Sequence, residues 1–183
     1  TIDAVGHPIT RALALSNDLA YSRETLFLDS PKVLFLGADP ESLGTSTRAN
    51  GVLAEIKSSF DQRTDAAALI RDERDFARAG LAQYERFWHA VREYKPSIVH
   101  VVAHGRTSAD GQTKGLVFEG EDARSSDTVS MELMLRALEG VESVRILIVT
   151  ACQSGPLFEE CIEQVRSSQG LSQIEAVVCV AAD

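Results

Sequence analysis

Short apolar runs of strand length, separated by stretches with helical periodicity, recur along most of this chain, and that alternation restricts it to few folds. Val33-Leu34-Phe35-Leu36 runs into Gly37-Ala38-Asp39-Pro40, as a buried strand does when it ends in a turn. Residues 43–60 then place Val52, Leu53, Ile56 and Phe60 on one side of a helix. A weak strand is expected over 66–70. Residues 76–94 read as an amphipathic helix, with Leu81, Tyr84, Phe87, Trp88 and Val91 near helical spacing and Pro96 as its stop. Further apolar runs at 98–103, 116–118, 144–151 and 176–181 alternate with helical patterns at 131–138 and 157–165. Strand and helix in turn imply an α/β domain with a mainly parallel sheet.

The remaining stretches say less. Residues 1–31 hold a moderately helical segment at 10–21 and end in Pro31, which reads as an N-terminal extension or linker before a domain over 32–183. Residues 119–127 are polar and acidic and read as a solvated loop.

Two of the apolar runs end in reactive side chains. One is Ile98-Val99-His100-Val101-Val102-Ala103-His104-Gly105, the other Ile146-Leu147-Ile148-Val149-Thr150-Ala151-Cys152-Gln153-Ser154-Gly155. In an open parallel sheet the reactive groups gather beyond the carboxyl ends of the strands, where diverging loops leave a crevice. If these strands are neighbours, His104 and Cys152 face each other across it. An imidazole can generate a thiolate and later protonate a leaving amine, so the pair suits acyl transfer. Gly105 and Gly155 let backbone approach a substrate and let amides point at a developing oxyanion.

With these segments in place, residues 32–183 resemble the caspase-like peptidase clan, and within it the CHAT branch related to caspases and separases. The resemblance rests on the strand Val33 to Leu36, on Ile98-Val99-His100 running into His104-Gly105, on Gly115-Leu116-Val117-Phe118, and on Thr150-Ala151-Cys152-Gln153-Ser154-Gly155. It implies a three-layer α-β-α caspase-like fold. His104 and Cys152 would be the catalytic dyad of a cysteine endopeptidase, and the backbone amides of Gly105 and Cys152 its oxyanion hole. His104 precedes Cys152 by 48 residues, against about 50 in caspases. Caspases carry Gln, and metacaspases Asp, two residues before the nucleophile. This chain has Thr150, so neither acidic nor strongly basic primary specificity carries over.

Other residues have blander readings. His100 points with the even positions of its strand and reads as a buried or supporting histidine. His7 and His89 have no comparable company. Cys161 lies among Glu159, Glu160 and Glu163, which oppose thiolate formation, so a structural or surface thiol is expected; Cys179 reads as core. Asp39-Pro40 and Asp110-Gly111 are turn dipeptides. Asp39 also ends the first strand on the active side, and with Thr150 it is a candidate for contact with substrate.

Composition excludes several classes. The chain of 183 residues is 44% hydrophobic and 25% charged, an ordinary globular balance that needs neither metal nor disulfide to hold a core. With 27 acidic and 18 basic side chains its formal charge is -9, unsuited to a broad phosphate-binding surface, so no direct nucleic-acid partner is expected. No apolar run approaches the roughly 20 residues that span a bilayer, which points to a cytoplasmic protein without a membrane partner. Three cysteines without a Cys-x-x-Cys pair suggest neither a disulfide framework nor zinc, and no phosphate-cradling glycine pattern occurs, so no cofactor is implied. The expected partners are a protein substrate and, from the resemblance, a regulatory protein or added domain in a bacterial defence or signalling system. A catalytically silent caspase-like regulatory or interaction module is the alternative. Asp183 directly follows an apolar strand where the family continues, so the domain is expected to be incomplete at that end.

Overall fold

The computed structural model describes residues 10–14, 32–38, 40, 43–44, 51, 54–55, 58, 76–78, 84–107, 114–120, 125–151 and 154–181. Among them are eight strands: β1 (Thr10–Ala14), β2 (Val33–Gly37), β3 (Phe76–Arg78), β4 (Ile98–Thr107), β5 (Lys114–Glu119), β6 (Ser126–Ser130), β7 (Ile146–Ala151) and β8 (Ala176–Ala181). Three helices have bounds within the same residues: α1 (Tyr84–Tyr94), α2 (Met131–Arg136) and α3 (Ser154–Ser167). The main sheet runs β1-β8-β7-β4-β2-β3, and β5 and β6 branch from β4.

The α/β class expected from the alternating pattern is present, with a sheet that is mixed. Strands β8, β7, β4, β2 and β3 pair in parallel in that order. The pairings of β1 with β8, β4 with β5 and β5 with β6 are antiparallel.

Alternation along the strands sorts their side chains between two faces. Leu34 and Leu36 of β2, Val99 and Val101 of β4, Leu147 and Val149 of β7, and Val177 and Cys179 of β8 all enter one buried cluster. The helices complete it with Phe87 and Val91 of α1, Met131, Met134 and Leu135 of α2, and Cys161 and Val165 of α3. On the opposite face Ile98, His100, Ile146, Ile148, Thr150, Val178 and Val180 are only half-buried.

Local chemistry sets the helix ends. Phe87 and Val91 are one turn apart and buried together, which aims α1 at the sheet. The helix stops where Lys95 adopts φ 50° ahead of Pro96. Arg92 stacks 3.8 Å above the Trp88 ring and donates to the Ala137 carbonyl at 2.7 Å, tying α1 to the end of α2. Ser130 caps α2 by accepting from the Leu133 amide at 3.1 Å.

Several sequence expectations are corrected. Thr10–Ala14, expected to be helical, is a strand antiparallel to β8, so the sheet draws on residues upstream of 32. Its Ala, Leu and Arg favour a helix locally, and the waiting edge of β8 decides otherwise. Phe76–Arg78 is a strand beside β2, and the helix expected from 76 begins at Tyr84. Ser126–Ser130, read in part as loop, pairs with β5 as an edge strand in which only Val129 is buried. In the helix expected over 43–60, Gly51, Ala54, Glu55 and Ser58 are helical and exposed; its apolar positions, and the strand expected at 66–70, lie outside the described residues. No helix among the described residues is long and apolar enough to cross a membrane.

Leu147 is fully buried in the central parallel strand β7. Leu147→Ala is expected to lower the unfolding free energy by about 2–5 kcal/mol. Urea denaturation will read this as a lower midpoint with an unchanged slope.

Candidate functional site

The four parallel strands β2, β4, β7 and β8 start in step, with Val33 opposite Ile98, Ile98 opposite Ile146 and Ile146 opposite Ala176. Backbone bonds just before them hold that alignment: Ile98 donates to Lys32 at 3.0 Å, Ile146 to Ser97 at 3.1 Å and Ala176 to Arg145 at 3.2 Å. Strands that start together and have one rise per residue also end together. At the carboxyl end Gly37, Val102, Thr150 and Val180 form one row across the sheet. The Ala38 amide donates to the Val102 carbonyl at 2.8 Å, which carries β2 one residue further.

The last pair joining β4 to β7 is Ala103 with Ala151. β7 is described to Ala151, while β4 continues through His104, Gly105 and Arg106 to Thr107 and changes partner to β5, antiparallel, with His104 opposite Val117 and Gly105 opposite Leu116. His104 stands at that change and, like Gly105, is half-buried.

Of the expected site residues, His104 and Gly105 therefore lie where β4 leaves the parallel sheet, and Thr150 lies next to the end of β7. Cys152, the residue after Ala151, and Asp39, two residues after Gly37, lie outside the described residues, as do Asp110 and His7. His89 is exposed on α1, its ring edge-to-face with Trp88 at 4.9 Å.

Sequence reasoning gave His100 a supporting place without finding its partners. Its Nε2 lies 3.2 Å from the Thr150 hydroxyl, across the β4–β7 pair. On the other side its ring meets Phe35 of β2 edge-on, with centroids 5.4 Å apart and planes at 75°. Burial lowers its pKa from 6.5 to about 4, since little water is left to solvate an imidazolium, so the ring is neutral near pH 7. The shared even parity of residues 100 and 150 was the available signal; the register that joins them was not.

The other cysteines are inert by environment. Cys161 of α3 and Cys179 of β8 are both buried, with no disulfide. Burial pushes the Cys179 thiol up to about 12, and raises Cys161 further with help from Cys179 and Glu160. Cys161 is thus core, which settles the expectation of a structural or surface thiol. A cavity of about 410 Å³ is lined by Arg92, Lys95, Gly140, Val141, Glu142 and Ser143. These residues precede β4 and β7 in the chain and belong to the amino ends of those strands, away from His104. Among the described residues no group of three or more His, Cys, Asp or Glu is arranged to hold a metal ion.

Residues 14–174 match a family described as the CHAT domain. No curated protein matches the chain.

Two outcomes follow from the burial of these groups. In the native protein near neutral pH, Cys161 and Cys179 should stay unmodified by iodoacetamide, and both should react once urea unfolds the chain; peptide mass mapping reads the result. For His100 the folded pKa lies below the unfolded one, so between pH 6.5 and about 4 the unfolded chain binds the extra proton. Stability should therefore fall as pH drops through that window, by at most about 3 kcal/mol from this residue. Urea titrations at stepped pH should show a shallower fall in His100→Gln.

Proposed function

Since this chain belongs to the CHAT domain family, relatives of the caspase-like peptidases, we propose that it is a cysteine endopeptidase that hydrolyses peptide bonds of protein substrates through Cys152 and His104. The observation that carries this reading is the pairing of Ala103 with Ala151 at the ends of adjacent parallel strands. The next residues in the sequence are His104 and Cys152. In the sequence Asp39 follows Gly37, which is opposite Val102, by two residues.

In the proposed reaction His104 takes the proton of Cys152, and the thiolate sulfur bonds to the carbonyl carbon of the scissile peptide. The carbonyl oxygen becomes an oxyanion, which the backbone amides of Gly105 and Cys152 stabilise. The intermediate collapses with loss of the C–N bond, and His104 passes its proton to the departing amine. Water then attacks the thioester carbon, giving one proton to His104 and releasing the acid as the C–S bond breaks. That proton returns to the sulfur. Asp39 and Thr150 border the bound substrate.

A three-layer form belongs to the same reading. The steps β3 to β4, β4 to β7 and β7 to β8 cross the sheet in one direction, and β2 to β3 runs the other way. Right-handed crossovers then assign the helical residues Gly51, Ala54, Glu55 and Ser58 to the face opposite α1, α2 and α3. The family resemblance extends the proposal to a cytoplasmic protease switched by a regulatory partner or attached domain, in bacterial defence.

Cys152→Ala and His104→Ala should each abolish cleavage of a peptide library read by mass spectrometry, whereas Cys161→Ala should keep most of it. An electrophilic peptide should label Cys152 selectively in the wild-type protein. Full cleavage by Cys152→Ala would sink the assignment.

A further inference from the structure

His100 and Thr150 form a side-chain tie that fold stability does not demand. Their neighbours on that face are Ile98, Ile148, Val178 and Val180, and an apolar pair of similar shape would pack there with little or no loss of stability, because a buried hydrogen bond only replaces bonds to water. The tie also has a distinctive place. Thr150 is opposite Val102, one residue before Ala103 and Ala151, the last described pair of β4 with β7. His100 is anchored from behind by Phe35 of β2, so one ring links three adjacent strands immediately below their open ends. Residues 100, 102 and 104 share a face of β4, and Thr150 is two residues before Cys152.

We propose that His100 is a positioning residue for the His104–Cys152 pair, acting through the Thr150 hydroxyl to set how the end of β7 meets the end of β4. This rests on the dyad reading above. The bond restrains the twist between the two strands one pair before the last described one, Ala103 with Ala151, and the two reacting groups follow Thr150 and Val102 by two residues in the sequence. A neutral imidazole suits the task, since it can donate to or accept from the hydroxyl without placing a charge among the apolar side chains of that face.

The test measures alkylation of Cys152 by iodoacetamide across pH, which needs no knowledge of the substrate; buried Cys161 and Cys179 leave the signal to Cys152. Thr150→Val and His100→Phe each remove the bond while keeping bulk. Each is expected to slow alkylation near neutral pH by about tenfold, the order set by loss of one ordinary hydrogen bond, and to move the inflection of the profile up toward the roughly 8.5 of a free thiol. Thr150→Ser should restore the wild-type profile, and the double variant should be no slower than either single one. Thermal melting checks that each variant folds; should His100→Phe fail to fold, the Val and Ser variants at Thr150 decide alone. A wild-type profile in folded Thr150→Val overturns the proposal. If His104→Ala also leaves the wild-type profile unchanged, the dyad reading itself has failed, and the positioning role with it.

Discussion

The parallel ladder between β4 and β7, from Ile98 with Ile146 to Ala103 with Ala151, fixes where everything else stands. Because successive residues of a strand face opposite ways, a slip of one position would turn Val99, Val101, Leu147 and Val149 out of the core. Burial of those side chains against α1, α2 and α3 is therefore what holds the register. The register in turn decides which residues reach the carboxyl ends of the strands together. Residues at the carboxyl ends of the strands are aligned by apolar contacts several residues away from them.

The two faces of the sheet divide the work. One is closed by helices and carries thiols in environments that suppress ionisation, so Cys161 and Cys179 serve as small apolar groups. The other carries the half-buried polar residues His100 and Thr150 beside the buried Phe35 and Val102. A cysteine's chemistry in this chain follows from which surroundings its strand or helix gives it, more than from the residue type.

Much of this was legible in the sequence. The strands β2, β4, β7 and β8 announce themselves as apolar runs because both their faces are at least partly covered, and the strand over 176–181 was read to its observed limits. The parallel adjacency of the strands that lead to His104 and Cys152 was expected and is present. The misreadings share a cause: β1, β3 and β6 are edge strands whose conformation is set by a partner strand, remote in the chain for β1 and β3 and nearby, in β5, for β6. Thr10–Ala14 has helix-forming residues, Phe76–Arg78 is too short to show a period, and Ser126–Ser130 offers one inward residue in Val129. At the site the sequence supplied residue types and order. Partners such as Phe35 and Thr150 for His100 depend on inter-strand register, which no local pattern carries.

The antiparallel seat of β1 has a consequence in time. Residue 10 lies opposite residue 180, so β1 must wait for a strand made 170 residues later before it can pair. Until then the N-terminal segment has no edge to join, and the edge of β8 does not exist. Pairing of β1 is thus a long-range closure of the kind that slows folding. A nascent chain halted before β8 would have its strand end at Ala151 in place while one flank of β7 stood open to whatever else could pair with it.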